Sequence, residues 1–480
     1  MSQKTIDSIQ KWSSCTDLIA IEDQARSITY RQLWNGIQNA TQTLDGLNTI
    51  GISNANSSEY VVLLLAALAR GMTVIPIPHF FSKQQKDAII QHSDLELIFT
   101  NDESLQEFNR SKVIPPMNFD SPKNEIILGN NSSKKIIFTS GTSGSPKGVC
   151  LSEDAQEQNI RHLSNTLKPD IRKRYLSLLP FSMLLEEICG LHVVFQSGGT
   201  LIIEKDFFDN LLNKKFSSLN DLIAQHEPNF LMIVPDILKF WLFEIELTNL
   251  SPPSCLEFIA VGGGKTPIEI LEQANDLGLP IFEGYGLSEA SSVVSFNVPG
   301  ESKLGSVGKP FAHHNVKIIG GEIVLEGSAL FLGYLNVSRE QTDIFFTGDL
   351  GHIDSDGYLF VEGRKDNILV TGTGRNVSPE WIENSFNGSV MILKSIAFLN
   401  ESSEINLLVA LSPIAESITK DDLLQRLDKL TQALPAYAKP TRIFRTNANN
   451  KECFAENGKP KRKNIFIHTD TFELLMEHAA

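Results

Sequence analysis

Cysteine is scarce and dispersed in this chain. Its five cysteines, Cys15, Cys150, Cys189, Cys255 and Cys453, form no C-x-x-C pair, which argues against a zinc site or a disulfide framework and favours a reducing compartment. Long apolar runs are missing as well. The longest, Tyr60 to Ala69, falls short of the about 20 residues needed to span a bilayer, so no transmembrane segment is expected. The stretch Met1 to Asp7 is polar and lacks the apolar core of a signal peptide, which predicts a soluble, cytoplasmic protein. Basic charge is not in excess. With 42 Lys and Arg against 57 Asp and Glu, the formal net charge of -15 repels a phosphate backbone and disfavours nucleic acid as a partner. Any anionic ligand must then be held by local donors. Internal repeats, low-complexity tracts and long linkers are also absent.

What remains is ordinary globular composition, 41% hydrophobic and 21% charged, over 480 residues. One hydrophobic core stops growing at roughly 250 to 300 residues, so at least two domains are expected. Short strand patterns at Leu18 to Ile21, Ile28 to Tyr30, Thr49 to Ile52, Met72 to Ile77 and Leu95 to Phe99 alternate with helical patterns, notably Leu33 to Leu44 and Ser57 to Arg70. The alternation continues through Tyr175 to Leu179, Thr200 to Ile203, Phe230 to Val234 and Phe258 to Val261. Such alternation predicts an α/β fold with layered, mostly parallel sheets. From about residue 305 hairpins take over: Val316 to Ile319 and Glu322 to Leu325 flank Gly320-Gly321, and His352 to Val361 turns at Asp356-Gly357. We therefore expect a large domain over 1–365 with a β-rich subdomain at about 305–365. A small α+β domain over 366–480 should follow, joined by a short hinge near Asp366.

Five separated segments carry chemistry. The first, Thr139-Ser140-Gly141-Thr142-Ser143-Gly144-Ser145-Pro146-Lys147-Gly148, follows the apolar strand Lys135 to Phe138. Its glycines let backbone N–H groups approach an anion, its hydroxyls add donors and Lys147 adds charge, so it reads as a phosphate loop. It is not a Walker loop, because Lys147 is followed by Gly148 rather than Ser or Thr. The second, Gly262-Gly263-Gly264, ends a strand where backbone can lie against a flat ring, although a plain tight turn is the commoner meaning. The third, Glu283-Gly284-Tyr285-Gly286-Leu287-Ser288-Glu289, offers an aromatic ring and a carboxylate. Beside bound phosphate a carboxylate usually means Mg²⁺, while the alternatives are Glu289 as a helix cap and Tyr285 as core. The fourth places Asp349 in Thr347-Gly348-Asp349, with Arg364 beyond the next hairpin, and Asp349 can accept both hydroxyls of a ribose. The fifth is the basic loop Asn457-Gly458-Lys459-Pro460-Lys461-Arg462.

In this order and at these spacings the five segments resemble the adenylate-forming superfamily of acyl-CoA synthetases, adenylation domains and luciferases, over essentially the whole chain. The resemblance implies a large α/β domain with a small mobile C-terminal domain, and an enzyme using ATP and Mg²⁺ to make an acyl-adenylate. It further implies that Thr139, Ser140, Gly141, Thr142, Ser143, Gly144 and Lys147 hold the β- and γ-phosphates, and that Glu289 binds Mg²⁺. Tyr285 with its neighbours Gly286 and Ser288 would meet adenine beside Gly262, Gly263 and Gly264, while Asp349 and Arg364 would hold the ribose. Lys459 would bridge the substrate carboxylate and the α-phosphate, where charge develops in the transition state. Rotation at Asp366 would then withdraw Lys459 and bring in the loop containing Gly372, Gly374 and Arg375 for attack by a thiol. Because Phe454-Ala455-Glu456 departs from the common pattern before that loop, Lys461 and Lys463 stay as alternatives to Lys459.

The segment Leu179 to Gly190 matches the family segment that lines the acid pocket, and the resemblance implies Ser182, Met183, Leu184 and Gly284 as pocket residues. Ser182 stands where amino-acid-activating members carry Asp, and Met183 where many acyl and aryl members carry His. A thioether beside Leu184 and Leu185 suits an apolar chain, so a fatty or other apolar acid is expected, with an aryl acid as the rival. The acceptor is expected to be CoA, or else the phosphopantetheine thiol of an acyl carrier protein. A non-catalytic adenylate-binding protein would have lost Lys147, Glu289, Asp349 or Lys459, and all four are present.

Overall fold

The computed structural model describes residues 2–478 except 16, 107, 109, 123–124, 130, 140–145, 168–172, 213–216, 338–343, 455–459, 463–464 and 466–470. Two large sheets organise the N-terminal part. In the nine-stranded sheet the strands Ile281–Leu287, Phe258–Val261, Phe230–Ile233, Arg174–Ser177, Thr200–Ile203 and Ile19–Glu22 run parallel in that order. The four-residue strands Arg174–Ser177, Thr200–Ile203 and Phe258–Val261 are buried at nearly every position, as a sheet covered on both faces requires. The seven-stranded sheet is parallel at its centre, through Lys134–Thr139, Thr73–Pro76, Thr49–Ser53 and Leu97–Thr100. The helix Ser58–Ala69, capped by the Ser57 side chain accepting from the Tyr60 N–H, is buried along its whole length, which explains an apolar pattern with no polar face.

The four-stranded antiparallel sheet Val316–Ile319, Glu322–Glu326, Ile344–Ile353 and Leu359–Arg364 supplies the hairpins expected from Gly320-Gly321, where both glycines have positive φ, 59° and 82°. Beyond it the chain forms a small C-terminal domain around the sheet Ile392–Leu399, Ile405–Leu411, Arg442–Thr446 and Glu473–Glu477. That domain has its own core, containing Val377, Ile382, Phe386, Leu407 and Leu427.

Three features depart from the sequence expectation or go beyond it. The phosphate-loop strand pairs antiparallel with Lys147–Ser152, so the glycine loop closes a hairpin at the border of a sheet that is otherwise mostly parallel. The polar N-terminal stretch is a helix, Ser2–Trp12, that buries Ile6 and Ile9; two apolar positions three residues apart are too few to announce it. A π-helix, Glu186–His192, lies in the segment read as the acid-pocket wall. Among the described residues no helix is long and apolar enough to cross a membrane.

Candidate active site

The ends of the glycine loop are tied together by the sheet. Thr139 lies directly opposite Lys147, so the chain leaves and re-enters the ladder at one rung, and Lys147 stays exposed beside the loop. Ser140, Gly141, Thr142, Ser143 and Gly144 lie outside the described residues. The short strand Gly333–Tyr334 adds to the outer edge of this hairpin, with Tyr334 opposite Val149. Its ring lies 5.7 Å from the Lys147 ammonium, and its hydroxyl donates to Glu289 Oε1 at 2.8 Å. Lys147, Tyr334 and Glu289 thus form one continuous wall, although they come from three distant parts of the sequence.

Glu289 sits in a 3₁₀ turn, Ser288–Ala290, that follows the strand Ile281–Leu287. The turn is anchored by the Phe331 N–H donating to the Glu289 carbonyl at 2.8 Å and by Asn159 donating to the carbonyls of Ala290 and Ser291. The glycines of this segment have packing reasons of their own. A Cβ on Gly286 would stand 1.7 Å from the Ser292 carbonyl oxygen, and one on Gly284 would stand 2.1 Å from the Phe296 ring. The missing side chains there admit the neighbouring strand Ser292–Phe296. Gly262 and Gly264 differ: a Cβ at either would meet nothing closer than 3.6 Å, and neither has positive φ. Packing does not require glycine at those two positions, which leaves room for a ligand over the turn. The Glu283 carboxylate binds the two segments together by accepting the Thr266 N–H at 2.9 Å, and burial raises its pKa to about 6.

Facing that wall is a second cluster. The Tyr285 hydroxyl donates to Asp349 Oδ2 at 2.6 Å, and Arg364 donates to Asp349 Oδ1 at 2.8 Å and to the Thr347 carbonyl at 2.9 Å. Asp349 and Arg364 are cross-strand partners, so the hairpin itself sets this ion pair. The Gly348 N–H and Lys365 both donate to Glu322, each at 2.9 Å, fixing the turn from behind. Burial pushes the Tyr285 phenol well above its ordinary pKa, with the Asp349 charge adding to it, so the ring keeps its proton. Tyr334 and Glu289 of the first cluster and Arg364 of the second border one crevice of about 410 Å³, lined also by Leu287 and Thr347. That volume lies within the roughly 300 to 1,000 Å³ of small-molecule sites.

Ser182, Met183 and Leu184 form a turn held by the Met183 N–H donating to the Pro180 carbonyl at 2.9 Å. Asn56 pins it by donating to the Leu179 carbonyl and accepting the Phe181 N–H. Ser182 Oγ is buried and finds no hydrogen-bond partner in the structure. Leu185 reaches the Gly262 turn, where its Cδ2 would stand 3.7 Å from a Cβ, so this segment and the triple-glycine turn are neighbours. Behind the turn, the fully buried Lys135 pairs with Glu187, which also faces His192 at 3.2 Å.

The C-terminal residues divide. Asp366 lies in the 3₁₀ turn Lys365–Asn367 and borders the crevice. Gly372, Gly374 and Arg375 do not border it: Gly372 N–H donates to the Ser403 carbonyl, Gly374 has φ 77°, and the Arg375 guanidinium stacks 4.8 Å from the Tyr437 ring. Lys459 and Lys463 lie outside the described residues. The chain flanking Lys459 is tied by a Phe454–Pro460 bridge, and both residues line an interdomain cleft with Lys265 and Pro267, just past the triple-glycine turn. Lys461 turns back to donate to the Lys451 carbonyl at 2.9 Å. Tyr334, Glu322 and Lys365 escaped the sequence reading. The Gly333-Tyr334 dipeptide after an apolar run was the one available cue for Tyr334.

Comparison with known proteins adds a second line of evidence. A family model described as AMP-binding enzyme matches residues 10–335. Among curated proteins, the 2-succinylbenzoate–CoA ligase of Bacillus pumilus is 27% identical over 405 residues, 76% of this chain and 78% of that protein. The enzyme of that name from Staphylococcus epidermidis is 26% identical over 478 residues, covering 93% and 94%. In fold, the chain is similar to the o-succinylbenzoate CoA synthetase of Bacillus subtilis in complex with its acyl-adenylate intermediate, with TM-score 0.79, 20% identity and coverage of 95% and 97%. It is similar in fold as well to an anthranilate CoA ligase in complex with anthranoyl-AMP, with TM-score 0.82, 18% identity and coverage of 97% and 96%.

Proposed function

The chain belongs to the AMP-binding enzyme family of adenylate-forming enzymes, and on that premise we propose that it activates a carboxylic acid with ATP and passes the acyl group to the thiol of coenzyme A. The observation that carries this reading is a crevice bordered by Tyr334, Glu289 and Arg364, with Lys147 beside the Tyr334 ring and with Asp349, which accepts from the Tyr285 hydroxyl, behind Arg364. A cation and a carboxylate beside a glycine loop suit phosphates and their metal; an aromatic ring beside an anchored carboxylate suits a nucleoside.

In the first step, residues Thr139 to Gly148 hold the β- and γ-phosphates, adenine lies between Tyr285 and the Gly262–Gly264 turn, and Asp349 accepts the ribose hydroxyls. Glu289 would hold Mg²⁺. Among the described residues no group of three His, Cys, Asp or Glu is placed to bind a metal. A single carboxylate fits magnesium, whose remaining oxygens come from phosphate and water. Bound there, the ion offsets phosphate charge. The substrate carboxylate attacks the α-phosphorus, the bond to the bridging oxygen breaks and pyrophosphate leaves. No general base is needed, since the nucleophile is already ionised, so positioning and charge neutralisation by Lys147 and Lys459 do the work. In the second step residues 366–480 turn about Asp366, exchanging Lys459 for the loop with Gly372, Gly374 and Arg375. The thiolate then attacks the acyl carbon and AMP leaves.

For the acid, we favour an aromatic carboxylate over the fatty acid expected from the Met183-Leu184-Leu185 run. Support comes from the relatives named for 2-succinylbenzoate and the structural neighbour with anthranoyl-AMP. An apolar wall receives a flat ring as readily as an alkyl chain, and the buried, unpartnered Ser182 hydroxyl offers a hydrogen bond to a polar ring substituent. The same relatives support CoA, rather than a carrier-protein arm, as acceptor.

The test is acid-dependent ATP–pyrophosphate exchange across 2-succinylbenzoate, benzoate, anthranilate and C6 to C16 fatty acids, followed by CoA or a phosphopantetheinylated carrier. Exchange with an aromatic acid, and acyl-CoA formation with release of AMP, are expected. Selective exchange with fatty acids overturns the substrate assignment, and ADP as product overturns the reaction.

A further inference from the structure

The helix Pro379–Asn387 of the C-terminal domain touches three things that matter to the first half-reaction. At its start, Glu380 accepts Asn367 Nδ2 at 2.5 Å, and Asn367 closes the turn that contains Asp366. In its middle, the buried Glu383 accepts Arg462 at 2.7 and 2.5 Å and the Ala397 N–H at 2.8 Å. Arg462 lies three residues beyond Lys459 on the same loop. At its end, Lys239, from the N-terminal domain helix Pro235–Thr248, donates to the Asn387 carbonyl at 2.5 Å and also to the Ile392 carbonyl.

Asn387 is the last helical residue, so its carbonyl is among the four that a helix leaves without an internal partner, and a cation there also meets the negative end of the helix dipole. The approach is close: a Cβ on the next residue, Gly388, would stand 2.7 Å from Glu269 Oε2 of the N-terminal domain. Burial lowers the Lys239 pKa to about 8. The amine keeps N–H groups to donate whether charged or neutral.

We infer that Lys239 is a positioning residue for adenylate formation: it docks the Pro379–Asn387 helix on the N-terminal domain, and that helix, through Glu383, holds Arg462, three residues along the chain from Lys459. Any turn of the small domain about Asp366 must break the Lys239 bonds, so their contribution is confined to one of the two half-reactions. This rests on the acid–CoA ligase reading above.

The experiment compares Lys239→Met and Lys239→Arg in the full-length enzyme. For Lys239→Met, kcat for pyrophosphate exchange should fall about 10- to 100-fold with KM for ATP changed less than about threefold, while CoA thiolysis of supplied acyl-AMP stays within about twofold; Lys239→Arg should recover part of the loss. Hydrogen exchange of residues 379–392 gives a readout independent of turnover, and Lys239→Met should lose protection there. Equal loss in both half-reactions, or unchanged exchange protection, overturns the assignment. If the wild-type enzyme shows no acid-dependent exchange at all, the ligase reading fails, and the protection of residues 379–392 still decides whether Lys239 seats the small domain.

Discussion

The hydroxyl of Tyr334 donates to Glu289 Oε1 at 2.8 Å, while the Tyr334 ring lies 5.7 Å from the Lys147 ammonium. One side chain therefore connects the lysine of the glycine loop to the carboxylate proposed to hold magnesium. Tyr334→Phe keeps the ring and removes only the hydrogen bond, which for a charged acceptor is worth about 1.5 to 3 kcal/mol. The concentration of Mg²⁺ giving half-maximal pyrophosphate exchange should rise about tenfold, with thermal stability nearly unchanged. A Mg²⁺ titration that superimposes on the wild type refutes the connection.

Asp349 is shared by Tyr285 and Arg364. Asp349→Ala takes from the half-buried Arg364 guanidinium and the Tyr285 phenol the carboxylate they share, and removes the acceptor proposed for the ribose hydroxyls. KM for ATP should rise by about 10- to 100-fold, with about 1 to 3 kcal/mol lost in denaturant unfolding. Tyr285→Phe, which keeps the ring, should raise KM less than Tyr285→Ala; equal effects would show that the ring does not meet adenine.

Lys461 is engaged with the Lys451 carbonyl, which leaves Lys459 the better candidate for the active-site lysine. Lys459→Ala should slow adenylate formation by about 10² to 10³ while thiolysis of supplied acyl-AMP survives, and Lys461→Ala should change either step by less than about twofold. The reverse ranking would move the catalytic role to Lys461.

Glu283 is buried, and its pKa is raised from 4.5 to about 6 by that burial. Since the folded state holds the proton more tightly than the unfolded one, this group's contribution is fully present below pH 4.5 and lost as pH rises through about 6. A rise from 4.5 to about 6 corresponds to about 2 kcal/mol. Glu283→Gln keeps an acceptor for the Thr266 N–H and does not titrate. Its stability relative to the wild type should therefore improve by about 2 kcal/mol between pH 4.5 and 7, measured by urea unfolding. Parallel pH profiles for the two proteins contradict this.

Lys135 and Glu187 are both fully buried and paired, next to His192. Removing one partner strands the other charge, so Lys135→Met should cost about 3 to 5 kcal/mol. Pairing it with Glu187→Met should restore most of that loss, because well-packed apolar residues often replace a buried ion pair without penalty. A double variant as unstable as the sum of the singles would show that His192 depends on Glu187.

The hydrophobic alternation, the glycine hairpin turns and the five motif segments were all legible in order along the chain, because each depends on neighbours within a few residues. The strands Thr200–Ile203 and Phe258–Val261 appear where local patterning places them. The N-terminal helix was not legible, since it takes its stability from packing Ile6 and Ile9 against other helices rather than from its own sequence. Nor was the meaning of individual glycines: Gly284 and Gly286 answer to Phe296 and Ser292, whereas Gly262 and Gly264 leave open space.

By itself, then, the sequence determined the layered α/β architecture, the type of each local element and the inventory of donors, carboxylates and lysines suited to a nucleotide. Only the tertiary structure decided which of them meet. Tyr334 reaches Glu289 because the strand Gly333–Tyr334 joins the edge of the Lys147–Ser152 hairpin while Glu289 sits in a turn after a strand of the other sheet, and Lys239 reaches Asn387 because two domains touch there. Such contacts depend on long-range pairing and packing, which residue spacing along a chain does not encode.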